Sequence, residues 1–161
     1  MPDQEAFKIA KSQAFKHLSY RDRSKKEIAE HLAKKGHTAS IVLAILQDLE
    51  KLNYINDHRF ASEWSRWRIE VKNFGRKRLH HELIAKGVST HIIETTLDTL
   101  YNSHPEQGLA LACANKKLAS LHGVEPEKKT RRLAQYLQRR GFSNDIIYET
   151  LKIFTIKDGG K

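Results

Sequence analysis

The sequence predicts an all-α protein made of three tandem three-helix repeats. One pattern of apolar, basic and glycine residues occurs three times, at residues 24–49, 75–100 and 129–154. Within each copy the first apolar residues recur four positions apart, which is typical of one face of a helix. The 161 residues include only three prolines and eight glycines, too few for an all-β chain with many turns. Because stacked repeats bury their apolar faces against neighbours, we expect an elongated, curved molecule.

Each repeat is organised around one glycine, which is Gly36, Gly87 or Gly141. A leucine lies four residues before each glycine, a lysine or arginine directly before it, and a threonine or serine two residues after it. This order predicts a helix that ends at a left-handed glycine and a following helix with a hydroxyl N-cap. The basic residue then lies in the last turn, where it opposes the negative end of the helix dipole. We place the three repeats at residues 1–55, 56–103 and 104–158.

The first repeat is expected to open with a helix from about Asp3 to Tyr20. Ser24 and Glu27 form an S-x-x-E capping box that begins its second helix. The apolar face of the opening helix is formed by Phe7, Ala10, Ala14, Phe15 and Leu18.

The second and third repeats each gain a helix from the residues that precede the repeated pattern. Asn56 is a suitable N-cap for the first of these, whose apolar residues are Phe60, Trp64, Trp67 and Val71. Phe60 and Trp64 are expected to pack in the core, whereas Trp67 between two arginines is left open between packing and binding.

The opening helix of the third repeat has its own start signal. Ser103 and Glu106 form a second S-x-x-E pattern, with Pro105 near the expected first turn. Its predicted apolar residues are Leu109, Ala112 and Leu118.

The segment that links the first two repeats is the most specific stretch of the chain. It reads Y-I-N-D-H-R-F-A at residues 54–61 and, with the K-G and R-R-G-F corners of the repeats, it resembles the RecX family of recombinase regulators. The resemblance covers about residues 10–154. Asn53 stands where the family usually has glycine, and asparagine also accepts a left-handed backbone, so we expect Asn53 to end the preceding helix.

The resemblance implies an all-helical protein that binds RecA and its nucleoprotein filament. It implies that the chain modulates, and mostly inhibits, RecA ATPase, filament growth and strand exchange in DNA repair and recombination. Single-stranded and double-stranded DNA are further expected partners. Within the linking motif, Tyr54, Asp57, Arg59 and Phe60 are expected to be structural, and direct partner contact by the first three stays open.

The chain carries 29 Lys+Arg against 19 Asp+Glu, a formal net charge of +10, which favours an anionic partner. The positive charge collects around the first and second helices of each repeat. If the repeats stack regularly, the clusters form one broken stripe suited to phosphates or to acidic protein patches. The candidate binding residues are Arg21, Arg23, Lys25, Lys26, Lys34, Lys35, Arg66, Arg68, Lys72, Arg76, Lys77, Arg78, Lys86, Lys128, Lys129, Arg131, Arg132, Arg139 and Arg140.

The third helix of each repeat is net acidic, which argues against a recognition helix in the DNA major groove. Three interpretations of the basic clusters remain open. They bind the RecA filament and its DNA, they coat DNA without a dedicated protein partner, or they are only a solvated face of a helical scaffold.

Nothing in the sequence predicts catalysis. P-loop, dinucleotide-binding and nucleophile-elbow motifs are absent, and the adjacent His80 and His81 point about 100° apart on a helix, so we expect no enzyme activity, metal or cofactor. The single cysteine, Cys113, is expected in the core. Without a signal peptide or a run of 18 apolar residues, we expect a soluble, cytoplasmic protein, and we expect a monomer.

Overall fold

The computed structural model describes residues 3–158, and this range contains nine helices and no strand, which confirms the predicted all-α class. The helices are α1 (Gln4–Leu18), α2 (Lys25–Lys34), α3 (Ala39–Lys51), α4 (Asp57–Lys72), α5 (Arg76–Ala85), α6 (Thr90–Ser103), α7 (Glu106–Ala119), α8 (Pro126–Arg139) and α9 (Asn144–Asp158).

The described residues divide into two compact units. Of the described residues, the first unit comprises 3–63 together with Leu83–Ile93, and the second comprises Trp64–Glu82 together with 94–158. The expected middle repeat therefore contributes residues to both units. The boundaries of the three repeats stay a prediction.

The first unit is held by an apolar core between α1, α2 and α3. The predicted face of α1 packs there, with Ala10 and Ala14 fully buried and Phe7, Phe15 and Leu18 packed around them. The capping box of α2 is also confirmed, because the Ser24 hydroxyl accepts from the Glu27 N–H while the Glu27 carboxylate accepts from the Ser24 N–H. The other buried members of this core are Ile28, Leu32, Ile41, Val42, Ile45, Leu49 and Ile55.

The repeat corners have the predicted backbone. Gly36, Gly87 and Gly141 have φ of +88°, +77° and +93°, and Asn53 has φ of 58°. These values lie in the left-handed region that glycine and asparagine accept most readily. The hydroxyls two residues after the glycines accept hydrogen bonds from the first turns of the next helices; they belong to Thr38, Ser89 and Ser143.

The apolar face predicted for α4 is only partly correct. Asn56 does cap the helix, because its Oδ1 accepts from the Arg59 N–H at 3.1 Å, and Phe60 is buried. However, Trp67 and Val71 are 50% and 54% exposed. Besides Phe60, the buried residues of α4 are Ala61, Ser65 and Ile69, which recur four positions apart and so lie on one face of the helix.

The start predicted for α7 is wrong in its capping. Ser103 is the last residue of α6, and Pro105 stands at the N-cap of α7 without a side-chain cap hydrogen bond. The Glu106 carboxylate accepts instead from the Arg76 N–H at 2.9 Å, so it caps the neighbouring α5. Ala112 is exposed.

The core of the second unit includes residues of α7, α8 and α9. Its buried members around these helices are Ala110, Cys113, Ala114, Leu133, Leu137, Phe142 and Ile147. Cys113 therefore has the predicted core position.

Candidate functional site

The second unit contains a concave basic surface, which we call the arginine pocket. It has a volume of about 380 Å³ and is lined by Lys72, Phe74, Arg78, Tyr136, Arg139 and Arg140. Four of these residues are cations, two are aromatic, and none is acidic. The pocket therefore brings together members of the second and third predicted basic clusters.

A backbone clamp positions the two sides of the pocket. The Gly75 N–H donates to the Arg140 carbonyl at 2.8 Å, and the Lys77 N–H donates to the Gly141 carbonyl at 3.0 Å. A Cβ atom on Gly75 would lie 2.5 Å from the Gly141 carbonyl carbon. A Cβ atom on Gly141 would lie 2.5 Å from the backbone nitrogen of Arg78. Because real Cβ atoms do not approach backbone so closely, both positions require glycine.

Two guanidinium groups are fixed over aromatic rings in the pocket. The Arg78 guanidinium lies 3.8 Å from the Phe74 ring centroid, and that of Arg140 lies 5.1 Å from the Tyr136 centroid. Each also holds a helix end, because Arg78 donates to the Arg139 carbonyl at 3.2 Å and Arg140 donates to the Lys72 carbonyl at 2.7 Å. Cation–π contact and these hydrogen bonds orient both planar groups.

Glu82 neutralises part of the adjoining surface. Its carboxylate accepts from the Trp64 indole at 3.0 Å and from Arg78 at 3.2 Å, and it forms an ion pair with Arg68. The Arg68 guanidinium in turn lies 3.6 Å from the Trp64 ring centroid. Trp64 is thus half-buried beneath a cation, whereas half-exposed Trp67 lies 5.6 Å from the Lys72 ammonium.

The predicted cations other than Arg66 fall into two groups by their ion pairs. Arg76 illustrates the first group, because its guanidinium lies 2.6 Å from Glu94 and 2.7 Å from Asp98 on the acidic helix α6. The other cations with acidic partners are Arg21, Arg23, Lys25, Lys26, Arg68, Arg78, Lys86 and Lys128. The cations without an acidic partner within residues 3–158 are Lys34, Lys35, Lys72, Lys77, Lys129, Arg131, Arg132, Arg139 and Arg140.

Glu27 is the acidic centre of the first unit. It bonds Arg21 at 2.6 Å and Lys86 at 2.8 Å, lies 3.9 Å from Arg23, and its side chain is 12% exposed. Partial burial alone raises the pKa of Glu27, but hydrogen bonds from Arg21, Lys86 and the Ser24 N–H outweigh it and lower the pKa to about 2. These cations are therefore engaged within the fold.

The linking motif makes contacts within the first unit. The Asp57 carboxylate accepts from the Lys25 N–H at 2.9 Å, and burial raises the pKa of Asp57. The Arg59 guanidinium bonds Asp22 and donates to the carbonyls of Asn53 and Tyr54. Half-exposed Tyr54 packs edge-on against the Phe15 ring at 4.8 Å. These contacts support a structural role for the motif.

Other chemistries find little support in the described residues. No group of three or more His, Cys, Asp or Glu residues within 3–158 could hold a metal ion. Burial raises the pKa of the Cys113 thiol, which disfavours the nucleophilic thiolate. No helix in the part of the chain that the structure describes is long and apolar enough to cross a membrane.

The aromatic and acidic members of the site were not predicted from the sequence. Phe74, Tyr136 and Glu82 went unnoticed, although Tyr136 lies four residues before Arg140 and so shares its helix face. Helix periodicity could have found Tyr136. Phe74 also lies four residues before Arg78, but it precedes α5, which begins at Arg76, so helix periodicity does not extend to this contact.

The fold and this surface define a class, that of basic, all-helical proteins built from three-helix domains. Family models match three segments of the chain: RecX first three-helix domain at 10–49, second at 56–97 and third at 105–151. Regulatory protein RecX of Pelodictyon phaeoclathratiforme is 32% identical over 89% of this chain and 87% of its own length. The chain belongs to the RecX family.

Further relatives agree with this assignment. Regulatory protein RecX of Amycolatopsis mediterranei is 29% identical over 94% of this chain and 86% of its own. The crystal structure of RecX from Lactobacillus salivarius matches with a TM-score of 0.82 and 24% identity, over 94% of this chain and 98% of that one. The likeness to that structure concerns the fold, and the curated relatives are named as regulatory proteins rather than as enzymes.

Proposed function

We propose that this chain binds RecA and RecA–DNA filaments and modulates, mostly by inhibition, RecA ATPase, filament growth and strand exchange. Membership in a family of regulatory proteins supports a regulatory role. The arginine pocket is the binding surface that we propose, because its four cations face solvent-accessible space and no carboxylate lines it.

The pocket suits a phosphate backbone lying against a protein filament. The planar guanidinium group of arginine can donate two hydrogen bonds to the oxygens of one phosphate. Cations along a groove bind successive phosphates without recognising the base sequence. Lys72 and Arg139 are exposed and make no ion pair within residues 3–158, so their charge is available to a partner. Arg78 and Arg140 are held by helix carbonyls and aromatic rings, which gives the site a fixed shape.

Arg76 is better suited to a structural role than to partner binding. Burial alone lowers the pKa of Arg76, but its hydrogen bonds and ion pairs with Glu94 and Asp98 outweigh burial and raise the pKa. These contacts therefore stabilise the charged form of Arg76 inside the fold. Reversing Arg76 would place three carboxylates together. A test of the binding surface should therefore leave Arg76 intact.

The test compares binding to RecA filaments on single-stranded DNA with binding to the same DNA alone, by fluorescence anisotropy of the labelled chain. We expect tighter binding to filaments. Reversal of two pocket charges, Lys72→Glu with Arg139→Glu, should weaken it and reduce the slope of log affinity against log salt by about 2.

The matched control reverses two exposed lysines outside the pocket, Lys8→Glu with Lys152→Glu, which changes the net charge equally. The control should bind filaments like the unmodified chain, and circular dichroism should show equal helicity in all three proteins. Equal affinity for filament and naked DNA would favour the alternative, a sequence-independent DNA-binding protein without a dedicated partner. Equal loss in the control and pocket variants would remove the pocket from the interface.

A further inference from the structure

The first unit contains a second basic pocket, of about 290 Å³, between α1 and α2. Two imidazoles form one wall: the rings of His17 and His31 are parallel within 7°, and their centroids are 4.0 Å apart. The other lining residues are Gln13, Lys16, Tyr20 and Lys35. Every lining side chain is thus a hydrogen-bond donor or a cation, and none is a carboxylate.

Positive charge also surrounds this pocket from outside its lining. The Arg23 Nε donates to the His17 carbonyl at 3.4 Å, and Arg21 and Lys34 add charge from the α1–α2 connection and from α2. Glu27 is the carboxylate that acts on His17, but it already bonds Arg21 and Lys86. The net charge around the two rings is therefore positive.

Burial and the surrounding positive charge both favour the neutral form of the two rings. Burial, followed by the positive charge of Arg23, lowers the pKa of His17, and burial, followed by that of Lys35, lowers the pKa of His31. Of the neighbouring groups, His37 is hydrogen-bonded to Gln13 at 2.7 Å and so orients that amide. Neutral rings can stack face to face, whereas two imidazolium rings at this distance would repel each other.

We propose that this pocket binds a phosphate group, with Lys16 and Lys35 as its fixed cations and His17 and His31 as donors that take up protons when the phosphate enters. An anion supplies the negative charge that the pocket lacks, and imidazolium donates from both ring nitrogens. Binding linked to protonation strengthens as the pH falls, by up to about tenfold per pH unit for each proton taken up. The proposal goes beyond filament regulation and does not depend on RecA binding.

The test is an NMR titration of the imidazole Cε1–H signals of the full chain with inorganic phosphate, at pH 7.5 and at pH 6.0. We expect saturable shifts of His17 and His31, with tighter binding at pH 6.0. Substitution of His31→Gln should weaken binding at pH 6.0 about tenfold and reduce its pH dependence. The matched control, His122→Gln, removes an exposed histidine outside the pocket and should change neither.

Two further arms identify the source of the phosphate. Titrations use an oligothymidylate with a 5′-phosphate and the same oligonucleotide without it. Shifts of His17 and His31 with both indicate backbone phosphates of nucleic acid, and shifts with the first alone indicate a terminal or free phosphate. The absence of saturable shifts with all three probes would overturn the proposal, and so would equal affinity of the His31→Gln and His122→Gln proteins.

Discussion

Replacing Glu27 with glutamine should destabilise the first unit more than any similar change on the α2 surface. Glutamine keeps a hydrogen-bond acceptor in the capping box but removes the charge that Arg21 and Lys86 share. A pKa that falls from 4.5 to about 2 corresponds to roughly 3 kcal/mol of stability at neutral pH. For a chain of this size, that loss lowers Tm by roughly 6–12 °C.

The assay is thermal melting by circular dichroism between pH 2 and pH 7. Because the folded pKa of Glu27 lies below the unfolded one, its stabilisation is fully present above about pH 4.5 and disappears as the pH falls toward 2. The gap between the unmodified chain and Glu27→Gln should therefore close over this range. Glu30→Gln is the control, because the Glu30 side chain is 56% exposed and its carboxylate lies 3.8 Å from the Lys26 ammonium. Equal melting of the two variants at pH 7, or a gap that persists to pH 2, would refute the reasoning.

Further predictions concern stability and thiol chemistry. At Gly36 a Cβ atom meets nothing within 4 Å, so only backbone strain matters, and Gly36→Asn should melt above Gly36→Val. Gly141→Ala should lower the melting temperature more than Gly36→Ala, because a Cβ atom at position 141 would lie 2.5 Å from the backbone nitrogen of Arg78. Equal melting temperatures would contradict the clamp. Burial and the raised pKa of Cys113 predict that iodoacetamide modifies the native chain far more slowly than the urea-unfolded chain at pH 8; equal rates would contradict this.

Local signals were enough to predict most of the helices. The glycine corners at Gly36, Gly87 and Gly141 combine a left-handed backbone with a following hydroxyl cap, and both features depend on residues close in sequence. The same holds for the capping box of Ser24. Such signals are local, so one sequence is sufficient to read them. The expected curvature and the repeat boundaries stay predictions.

Predictions from the sequence were wrong where residues distant in the chain compete for the same charged side chain. Glu106 looks like the partner of Ser103, but it caps α5 through the Arg76 N–H. Charge clusters likewise do not show which cations pair inside the fold, as Arg76 does with Glu94. The arginine pocket itself forms because two glycine backbones meet, and that contact spans residues far apart in the chain.

The most direct test of filament regulation is the amount of this chain needed to suppress RecA ATPase. RecA is preassembled on single-stranded DNA, and the chain is titrated in with and without excess free duplex DNA. A regulator that acts on filament ends or on the filament groove should suppress ATPase at far less than one molecule per RecA, and duplex should relieve the effect only in part. A requirement for near-saturating protein, together with complete rescue by duplex, would contradict filament regulation and favour DNA coating.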